Sequence, residues 1–336
     1  MKNILYLIIL SSIIILGCAK ANTPLVVEDI KVMSVEKVLN TIGIPQAIAF
    51  SDKNVFVAED QAGFSIFDKG TGDEVARKYS HSEYDEFSNI RQIGFDQTDN
   101  ILFVFDRYGP PTIYSFDVTD PKEPVFKERI TAGDIQSTYY MHISNNDDGS
   151  IFLGITTTNS TFRFGTIRNP YVSMEVTNNY MPNAVKKFDI VDNYAYIAAS
   201  QRGLYIFDME SKKLVSELNM TGDALDVRVK GNYAYVVAKQ EGLLVVDISD
   251  KENPVWVGSY PTSGWAQAID VDGDYLVVGS GGGGVYLYDI GQDPAKPKQI
   301  DRLTSDVVDY TLLVAIEGKT IYAAGRYKGI SKIKIK

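Results

Sequence analysis

Residues 242–260 read GLLVVDISDKENPVWVGSY, in which two apolar runs are separated by the turn-forming stretch SDKENP. Related text recurs as GFSIFDKGTG from residue 63, TIYSFDVTDPKEPVF from 112, GLYIFDMES from 203 and GVYLYDIGQDPAKP from 284. Aligning the copies on Asp247 gives the marker positions 68, 117, 163, 208, 247, 289 and 334. Seven copies of about 44 residues each indicate an internal repeat architecture.

Two residue types define the alignment. A glycine stands five residues before the marker in five copies, as Gly63, Gly203, Gly242, Gly284 and Gly329. Glycine allows the positive φ of a tight turn, and an aspartate at the marker can accept hydrogen bonds from the next turn's backbone. In the second copy Thr112 takes the glycine slot, and in the third copy the alignment puts Thr158 there and Arg163 at the marker.

Each copy contains four short apolar runs bounded by turn residues, such as QAIDV from 267, YAYVVA from 233, LLVVDI from 243 and PVWVGSY from 254. Runs of this length predict β-strands rather than helices. Both faces of LLVVDI are apolar, which is typical of a sheet covered on both sides. Four strands per copy of this length are the signature of a propeller blade, so we predict an all-β, seven-bladed β-propeller of four-stranded antiparallel blades.

The last copy ends at Lys336, directly after its third strand, while residues 30–38 (IKVMSVEKV) have the pattern of an outer strand without a blade of their own. We therefore expect residues 30–38 to pair with residues 329–336 and to complete the last blade. Such a strand closes the ring and removes the exposed edge that an open sheet offers for aggregation.

The stretches LLVVDISD, DPKEP and NPVWVGSY resemble the LVIVD-repeat family, which occurs in cell-surface proteins of bacteria and archaea. The resemblance extends over about residues 40–336 and is strongest in copies four to six. It implies a propeller fold. The family has no established enzymatic activity or catalytic residues to transfer, so the resemblance does not assign a reaction.

Residues 1–17 combine one charge, Lys2, with an apolar run from Ile4 to Leu16 that is too short to span a bilayer. Ile15-Leu16-Gly17-Cys18 resembles the lipobox of bacterial lipoproteins, which implies cleavage before Cys18 and acylation of its thiol, for instance by palmitate. We thus expect a signal peptide at 1–17, a tether at 18–29 and the propeller at 30–336, with Cys18 anchored in the cell envelope. Ala19 favours the outer membrane by the same resemblance; the alternative is an ordinary signal peptide that ends in a chance cysteine.

Composition excludes several classes of function. There are 43 acidic residues against 33 basic ones, a net charge of −10, which argues against a nucleic-acid partner. One cysteine and two histidines cannot build a disulfide or a Cys-rich zinc site. GSGGGG at 279–284 fits GxGxxG, but a strand follows it, and DVDGD at 270–274 lacks the twelfth-position glutamate of a calcium loop. We therefore predict no cofactor and no metal, and leave calcium at 270–274 open.

Function is expected where the copies differ, on the propeller face that carries the loops between the second and third strands and the loops between blades. These loops bring arginines and aromatic residues together on an acidic protein, while the turns at 96–100, 145–150 and 270–274 make the opposite face acidic. The ligand-binding candidates are Tyr84, Arg91, Arg107, Tyr108, Tyr140, His142, Arg202, Trp265, Tyr310 and Arg326.

Within this set we expect the site to lie towards the first three copies, because the loop from His81 to Arg91 is longer than its counterparts. Arg91 is expected near the mouth of the central channel, with Arg107 and Tyr108 beside it and Tyr140 and His142 on the next blade. Arginines among tyrosines suit an anionic or sugar ligand.

Three functions fit these features. The first is a non-enzymatic binding module for a protein or glycan at the cell envelope. The second is a hydrolase or lyase that acts on a polysaccharide, since a propeller does not exclude catalysis. The third is a structural component of an envelope assembly.

Overall fold

The computed structural model describes residues 31–80, 86–107, 112–131, 138–145, 151–157, 161–168, 171–173, 179–181 and 185–336. The predicted signal peptide, Cys18 and the tether lie outside these residues. From Val32 to Lys336 the strands form seven separate antiparallel sheets, each built from consecutive strands except where the chain's two ends meet. The prediction of an all-β, seven-bladed propeller is confirmed.

The first two blades are regular. Blade 1 contains β2 to β5 (Ala47–Phe50, Asn54–Ala58, Phe64–Asp68 and Glu74–Lys78), and blade 2 contains β6 to β9 (Ile90–Asp96, Ile101–Asp106, Thr112–Asp117 and Val125–Thr131). Blade 3 contains β10 to β12 (Thr138–Asn145, Ile151–Thr157 and Thr161–Arg168) and an outer strand in two pieces, β13 (Tyr171–Ser173) and β14 (Asn179–Tyr180), which both pair with β12.

Blades 4 to 6 repeat the regular order. Blade 4 has β15 to β18 (Phe188–Val191, Tyr194–Ala198, Leu204–Asp208 and Lys213–Leu218), and blade 5 has β19 to β22 (Asp226–Lys230, Tyr233–Val237, Leu243–Asp247 and Val255–Tyr260). Blade 6 has β23 to β26 (Ala268–Asp272, Tyr275–Gly279, Val285–Asp289 and Lys298–Leu303). A one-turn helix, α1 (Ser305–Val308), follows, and no helix in the described part of the chain is long and apolar enough to cross a membrane.

Blade 7 contains β27 to β29 (Thr311–Glu317, Thr320–Gly325 and Ile330–Ile335) and takes its outer strand from the other end of the chain. That strand is β1 (Met33–Leu39), which runs antiparallel to β29 from Met33 opposite Ile335 to Leu39 opposite Ile330. The predicted closure of the last blade is confirmed. Met33 and Leu39 are buried at the two ends of β1, so closure also fills the core.

The core lies between blades, because the second and third strands are apolar on both faces. In β21 the residues from Leu243 to Val246 are all buried, and those of one face pack with β20 and the neighbouring blade 6. The outer strand β22 is mostly exposed. Because each sheet packs against the sheets of both neighbouring blades, the side chains on both faces of these strands are apolar.

The repeat signature is structural. Gly242 has φ +78°, and a Cβ there would lie 2.4 Å from the carbonyl oxygen of Tyr260, so the third strand can begin here only with glycine. The Asp247 carboxylate accepts the backbone N–H of Ser249 at 2.9 Å and closes the next turn.

One part of the alignment is wrong. In blade 4 the marker Asp208 pairs with Tyr194, two residues before Tyr196, which is the partner of Asp189 on the first strand. In blade 3 the first-strand residue His142 pairs with Gly154, so the marker is the partner of Phe152, which is Thr166 rather than Arg163. The glycine slot is correspondingly Thr161 rather than Thr158. The Asn-Pro pair at 169–170 misled the alignment because the outer strand of blade 3 is divided into two short pieces.

Candidate functional site

The first strands of the blades surround a central channel that holds two adjoining cavities. The cavity at the channel mouth has a volume of about 460 Å³, and the cavity below it has a volume of about 370 Å³. Both are lined by Gln46, Gln92, Tyr140, Lys187 and Leu313. They therefore form one continuous recess along the axis of the propeller.

Four cationic side chains line the mouth: Arg91, Arg107, Lys187 and Arg326. Arg91 donates to the side-chain oxygen of Gln46 at 2.6 Å. The Arg326 guanidinium lies 5.2 Å from the centre of the Tyr310 ring. Arg107 and Arg326 are exposed, whereas Arg91 is half-buried.

Buried carboxylates fix the loops that carry these arginines. Asp106 accepts the backbone N–H groups of Ser88 and Asn89, at 2.7 and 2.9 Å, and thereby ties the loop before β6 to the end of β7. Asp309 does the same in blade 7, since one of its oxygens accepts the N–H groups of Tyr327 and Lys328. The mouth is thus presented by loops with few free main-chain groups.

The mouth has an excess of positive charge. The arginine ion pairs of the described part of the chain involve Arg77, Arg202 and Arg228, so Arg91, Arg107 and Arg326 have no carboxylate partner among these residues. Asp60 also lines the mouth, and it accepts the side-chain amide of Asn89. Lys187 is paired with Asp226 at 2.9 Å.

Below the mouth, charged residues occupy one arc of the channel. The strand register places seven residues at one level: Ala49, Gly94, His142, Asp189, Arg228, Asp270 and Ala315. The charged and histidine side chains come from blades 3 to 6, and the small residues come from blades 7, 1 and 2. The lower cavity includes the space that these small residues leave.

The charged side chains of this arc already form hydrogen bonds and ion pairs within the protein. Arg228 donates to Asp226 at 3.0 Å, to Asp270 at 3.2 Å and to the carbonyl oxygen of Val227 at 2.8 Å. Asp189 accepts the N–H of Val229 in blade 5, and Asp270 accepts the N–H of Ile316 in blade 7. The arc therefore joins neighbouring blades and leaves few groups for a ligand.

The pKa shifts agree with a buried, balanced network. Burial raises the pKa values of Asp189 and Asp270, against the opposing charge of Arg228. Burial alone would lower the pKa of Arg228, but Asp226, Tyr140, Asp270 and Asp189 hold it well above its usual value.

His142 and Tyr140 stand beside this network. Burial and the charge of Arg228 lower the pKa of His142 to about 4, so it is neutral at pH 7. Burial raises the pKa of Tyr140 to about 12. Both residues line the lower cavity, so the side chains next to the charged arc are uncharged at neutral pH.

The structure brings some of the sequence candidates together and separates others. Arg91, Arg107, Tyr140 and Arg326 line the mouth, His142 lines the lower cavity, and Tyr310 contacts Arg326. Arg202 lies apart and pairs with Glu217 at 3.2 Å, and Trp265 lies beneath Lys239, 5.7 Å from its amino group. Tyr84 and Tyr108 lie outside the described residues.

Sequence reasoning missed Lys187, which directly precedes β15, and Asp226 and Arg228 on β19. The available signal was DVRVK at 226–230, where charged residues interrupt a strand that is otherwise apolar in the repeat. Asp270 was expected in a turn on the opposite face, but it lies on β23 and its carboxylate binds Arg228 and Ile316. Within the described ranges, no cluster of three or more His, Cys, Asp or Glu residues could hold a metal ion.

Comparison with known proteins identifies repeats of one family within the chain and supports the fold. Residues 184–214, 221–262 and 263–304 match the LVIVD repeat model. A search of curated proteins found no match.

Three solved structures illustrate the fold. U3-55K aligns with a TM-score of 0.70 and 11% identity, over 90% of this chain and 97% of its own. The β-propeller domain of Myceliophteria thermophila Cps50 (Swd1) aligns with a TM-score of 0.69 and 12% identity, over 90% and 99%. The computationally designed protein Ika8 aligns with a TM-score of 0.60 and 14% identity, over 87% and 83%. The chain is thus a seven-bladed β-propeller that carries LVIVD repeats over residues 184–304.

Proposed function

We propose that the protein is a non-enzymatic binding module that holds an anionic group of its ligand in the channel mouth. The observation that carries this proposal is the set of three guanidinium groups, from Arg91, Arg107 and Arg326, that surround one cavity without a carboxylate partner among the described residues. A guanidinium presents a planar pair of donors that matches carboxylate, phosphate or sulfate oxygens.

The saturated arc below the mouth supports the same assignment. Its positive charges are already matched by Asp189, Asp226 and Asp270, so they do not compete for an anion. The unmatched charges lie above it, where a recess lowers the local dielectric and strengthens a charge-assisted hydrogen bond. An anionic group is therefore best held at the mouth.

We further propose that the propeller acts at the bacterial cell envelope as a lipoprotein anchored through Cys18, with the outer membrane favoured. The support is the sequence Ile15-Leu16-Gly17-Cys18 at the end of a short apolar run. The ligand would then be a protein or glycan that the envelope presents, and no nucleic acid is expected as a partner.

The binding test uses calorimetric titration of the full-length chain with glucuronate, glucose 6-phosphate and, as the neutral control, glucose. We expect at least one anion to bind and glucose not to bind. Arg107→Ala and Arg326→Ala should each weaken binding at least tenfold, which is about 1.4 kcal/mol, because each removes a donor pair from the mouth.

Arg202→Ala is the matched control, since Arg202 is on the same face but pairs with Glu217. It should bind like the parent, and all three variants should keep the parent's melting temperature. If neither anion binds, or if the Arg107 and Arg326 variants bind like the parent, the mouth is not an anion site.

A further inference from the structure

Five blades share one turn between their second and third strands. The residues before its closing glycine are Asp60-Gln61-Ala62, Ser200-Gln201-Arg202, Lys239-Gln240-Glu241, Gly281-Gly282-Gly283 and Arg326-Tyr327-Lys328. In blades 1, 4, 5 and 6 the third of these N–H groups closes a short hydrogen-bonded loop, as Glu241 does with Ala238. In blade 7 the N–H of Lys328 donates to Asp309 instead. Only blade 6 among these five has no side chain at any of the three positions.

The bare turn of blade 6 leaves a notch in the loop face. A Cβ added at Gly282 would meet no atom within 4 Å, so the space above it is open. On one side, Gly264 lies so close that its Cβ would be 2.4 Å from the carbonyl oxygen of Ser280. On the other side, the Tyr310 ring lies against Gly281. The loops before β23 and before β27 thus border the notch.

The floor of the notch is rigid. The Gly283 carbonyl oxygen accepts a hydrogen bond from Arg302 at 3.0 Å, and the Arg302 guanidinium lies 4.8 Å from the Tyr286 ring centre. The Ser280 hydroxyl donates to the carbonyl oxygen of Ser263 at 2.7 Å. A floor held in this way is pre-organised for a ligand.

Two exposed aromatic residues belong to loops on either side of the notch. Trp265 follows Gly264 directly and is 51% exposed, with the Lys239 amino group near its ring. Tyr327 is 78% exposed in the turn of blade 7, next to Arg326. Exposed aromatic rings beside a bare backbone floor are a feature of binding surfaces rather than of a folded core.

The notch opens into the channel mouth. Gly281 and Thr311 are joined by two backbone hydrogen bonds, and Gln267, which lines the mouth, donates to the same Thr311 carbonyl at 2.6 Å. Tyr310 contacts Gly281 on the notch side, and the Arg326 guanidinium of the mouth lies over its ring. A ligand that begins at Arg326 can therefore continue over Gly281 and Gly282.

We propose that the ligand is an oligosaccharide with an acidic terminal residue, whose uncharged sugar rings leave the mouth through the notch and stack on Trp265 and Tyr327. This inference rests on the proposed anion site. The apolar face of a sugar ring, with its C–H groups, suits the negative face of an indole or phenol. Its hydroxyl groups can bind the phenolic hydroxyl groups of Tyr310 and Tyr327.

A peptide fits the notch less well. Strand addition requires an edge of free main-chain donors and acceptors. Here the N–H and C=O of Gly281 are engaged by Thr311, the N–H of Ser280 by Gly284, and the carbonyl of Gly283 by Arg302. The remaining features, open space and exposed rings, favour a polyhydroxylated ring over an extended main chain.

The test compares two probes by calorimetric titration of the full-length chain: glucuronate, and a tetrasaccharide in which the same glucuronic acid caps three neutral glucose residues. We expect the tetrasaccharide to bind at least tenfold more tightly. Gly282→Gln should remove this gain, because it fills the notch with the residue that Gln61, Gln201 and Gln240 place at the same position. Trp265→Ala should remove it by deleting the stacking surface.

Trp256→Ala is the matched control, since Trp256 is the chain's other tryptophan and lies on the outer strand β22. The Trp256→Ala variant should still bind the tetrasaccharide at least tenfold more tightly than glucuronate. Every variant should bind glucuronate like the parent. Equal binding of the two probes, or a gain that survives both notch variants, overturns the sugar notch and leaves the anion site standing. If a tetraglutamate peptide binds through Trp265 and the tetrasaccharide does not, the ligand class is wrong. If neither saccharide nor glucose 6-phosphate binds, the proposed function itself fails, whereas binding of glucose 6-phosphate alone overturns only the sugar notch.

Discussion

Individual tyrosines show that similar burial can have opposite effects on stability. The hydroxyl groups of Tyr205, Tyr288 and Tyr322 are buried without a hydrogen-bond partner among the described residues. The hydroxyl of Tyr235 donates to the carbonyl oxygen of Pro294 at 2.9 Å. A buried hydroxyl without a partner loses its hydration and receives nothing in return, whereas a bonded one recovers that loss.

Tyr322→Phe should therefore raise the free energy of unfolding by about 1 kcal/mol, because the ring stays packed and the unpaired hydroxyl is removed. Tyr235→Phe occupies the same position in its blade and should lower the free energy by about 1 kcal/mol, because it leaves the Pro294 carbonyl without its donor. Urea denaturation of the two variants measures both changes. A loss of stability in Tyr322→Phe equal to that in Tyr235→Phe would contradict this account.

Among the elements, β1 has the most distant partner in sequence. It belongs to blade 7 by its hydrogen bonds with β29, and Met33 joins the core between blades 6 and 7. Leu39 packs in the cluster between blades 7 and 1. One strand thus contributes apolar side chains to both interfaces of the last blade.

We expect Met33→Ala and Leu39→Ala each to lower the free energy of unfolding by about 2 to 5 kcal/mol, the usual cost of a large core side chain. Val38→Ala on the same strand is the control, since Val38 is 37% exposed, and its effect should be much smaller. Thermal and urea unfolding provide the measurement. Near-parent stability in both core variants would mean that the ring does not depend on β1.

At the scale of the whole molecule, the charge is unevenly arranged. The chain carries a net charge of −10, yet three guanidinium groups without a carboxylate partner among the described residues line one end of its channel. The small residues of blades 7, 1 and 2 open the channel on one side, and the saturated charges of blades 4 to 6 close it on the other. The free space of the lower channel therefore lies on the side of blades 7, 1 and 2.

The location of the molecule is testable through Cys18. Replacing it with Ser removes the only thiol in the chain, so we expect the variant to leave the membrane fraction and to lose palmitate labelling. Cell fractionation with antibody detection, alongside the parent chain, gives the result. Palmitate labelling that persists in Cys18→Ser would show that the anchor lies elsewhere, while loss of labelling without release would point to a second mode of membrane attachment.

The periodicity of the sequence was sufficient to predict the blades, because each blade repeats the same glycine, aspartate and apolar runs. It was sufficient for closure as well, since the last copy lacks a strand that residues 30–38 could supply. It failed in blade 3, where Thr166 and Thr161 occupy the positions that a short Asn-Pro match had assigned to Arg163 and Thr158. Local matches of two residues carry little information when the outer strand is broken.

The candidate site was predicted less completely. Arg91, Arg107 and Arg326 could be placed at the mouth because loops of one class share one face of a propeller. The positions of Lys187, Asp226 and Arg228 could not be predicted. A charged residue in or next to the first strand of a blade can point into the channel or into a neighbouring blade. The notch could not be predicted either. GSGGGG is recognised as a turn without side chains only after it is compared with the equivalent turns of the other blades, which carry longer residues.

The pairing of β1 with β29 also determines when folding can finish during synthesis. β1 is made first and its partner β29 is made last, so the nascent chain must carry Met33 and Leu39 without their final contacts until almost the whole sequence is available. Contacts between such distant segments are slow to form, since loop closure precedes any gain from them. The six blades between them can assemble from local strand pairs in the meantime. The ring can therefore close only after β29 has been synthesised, so blade 7 is the last blade that can be completed.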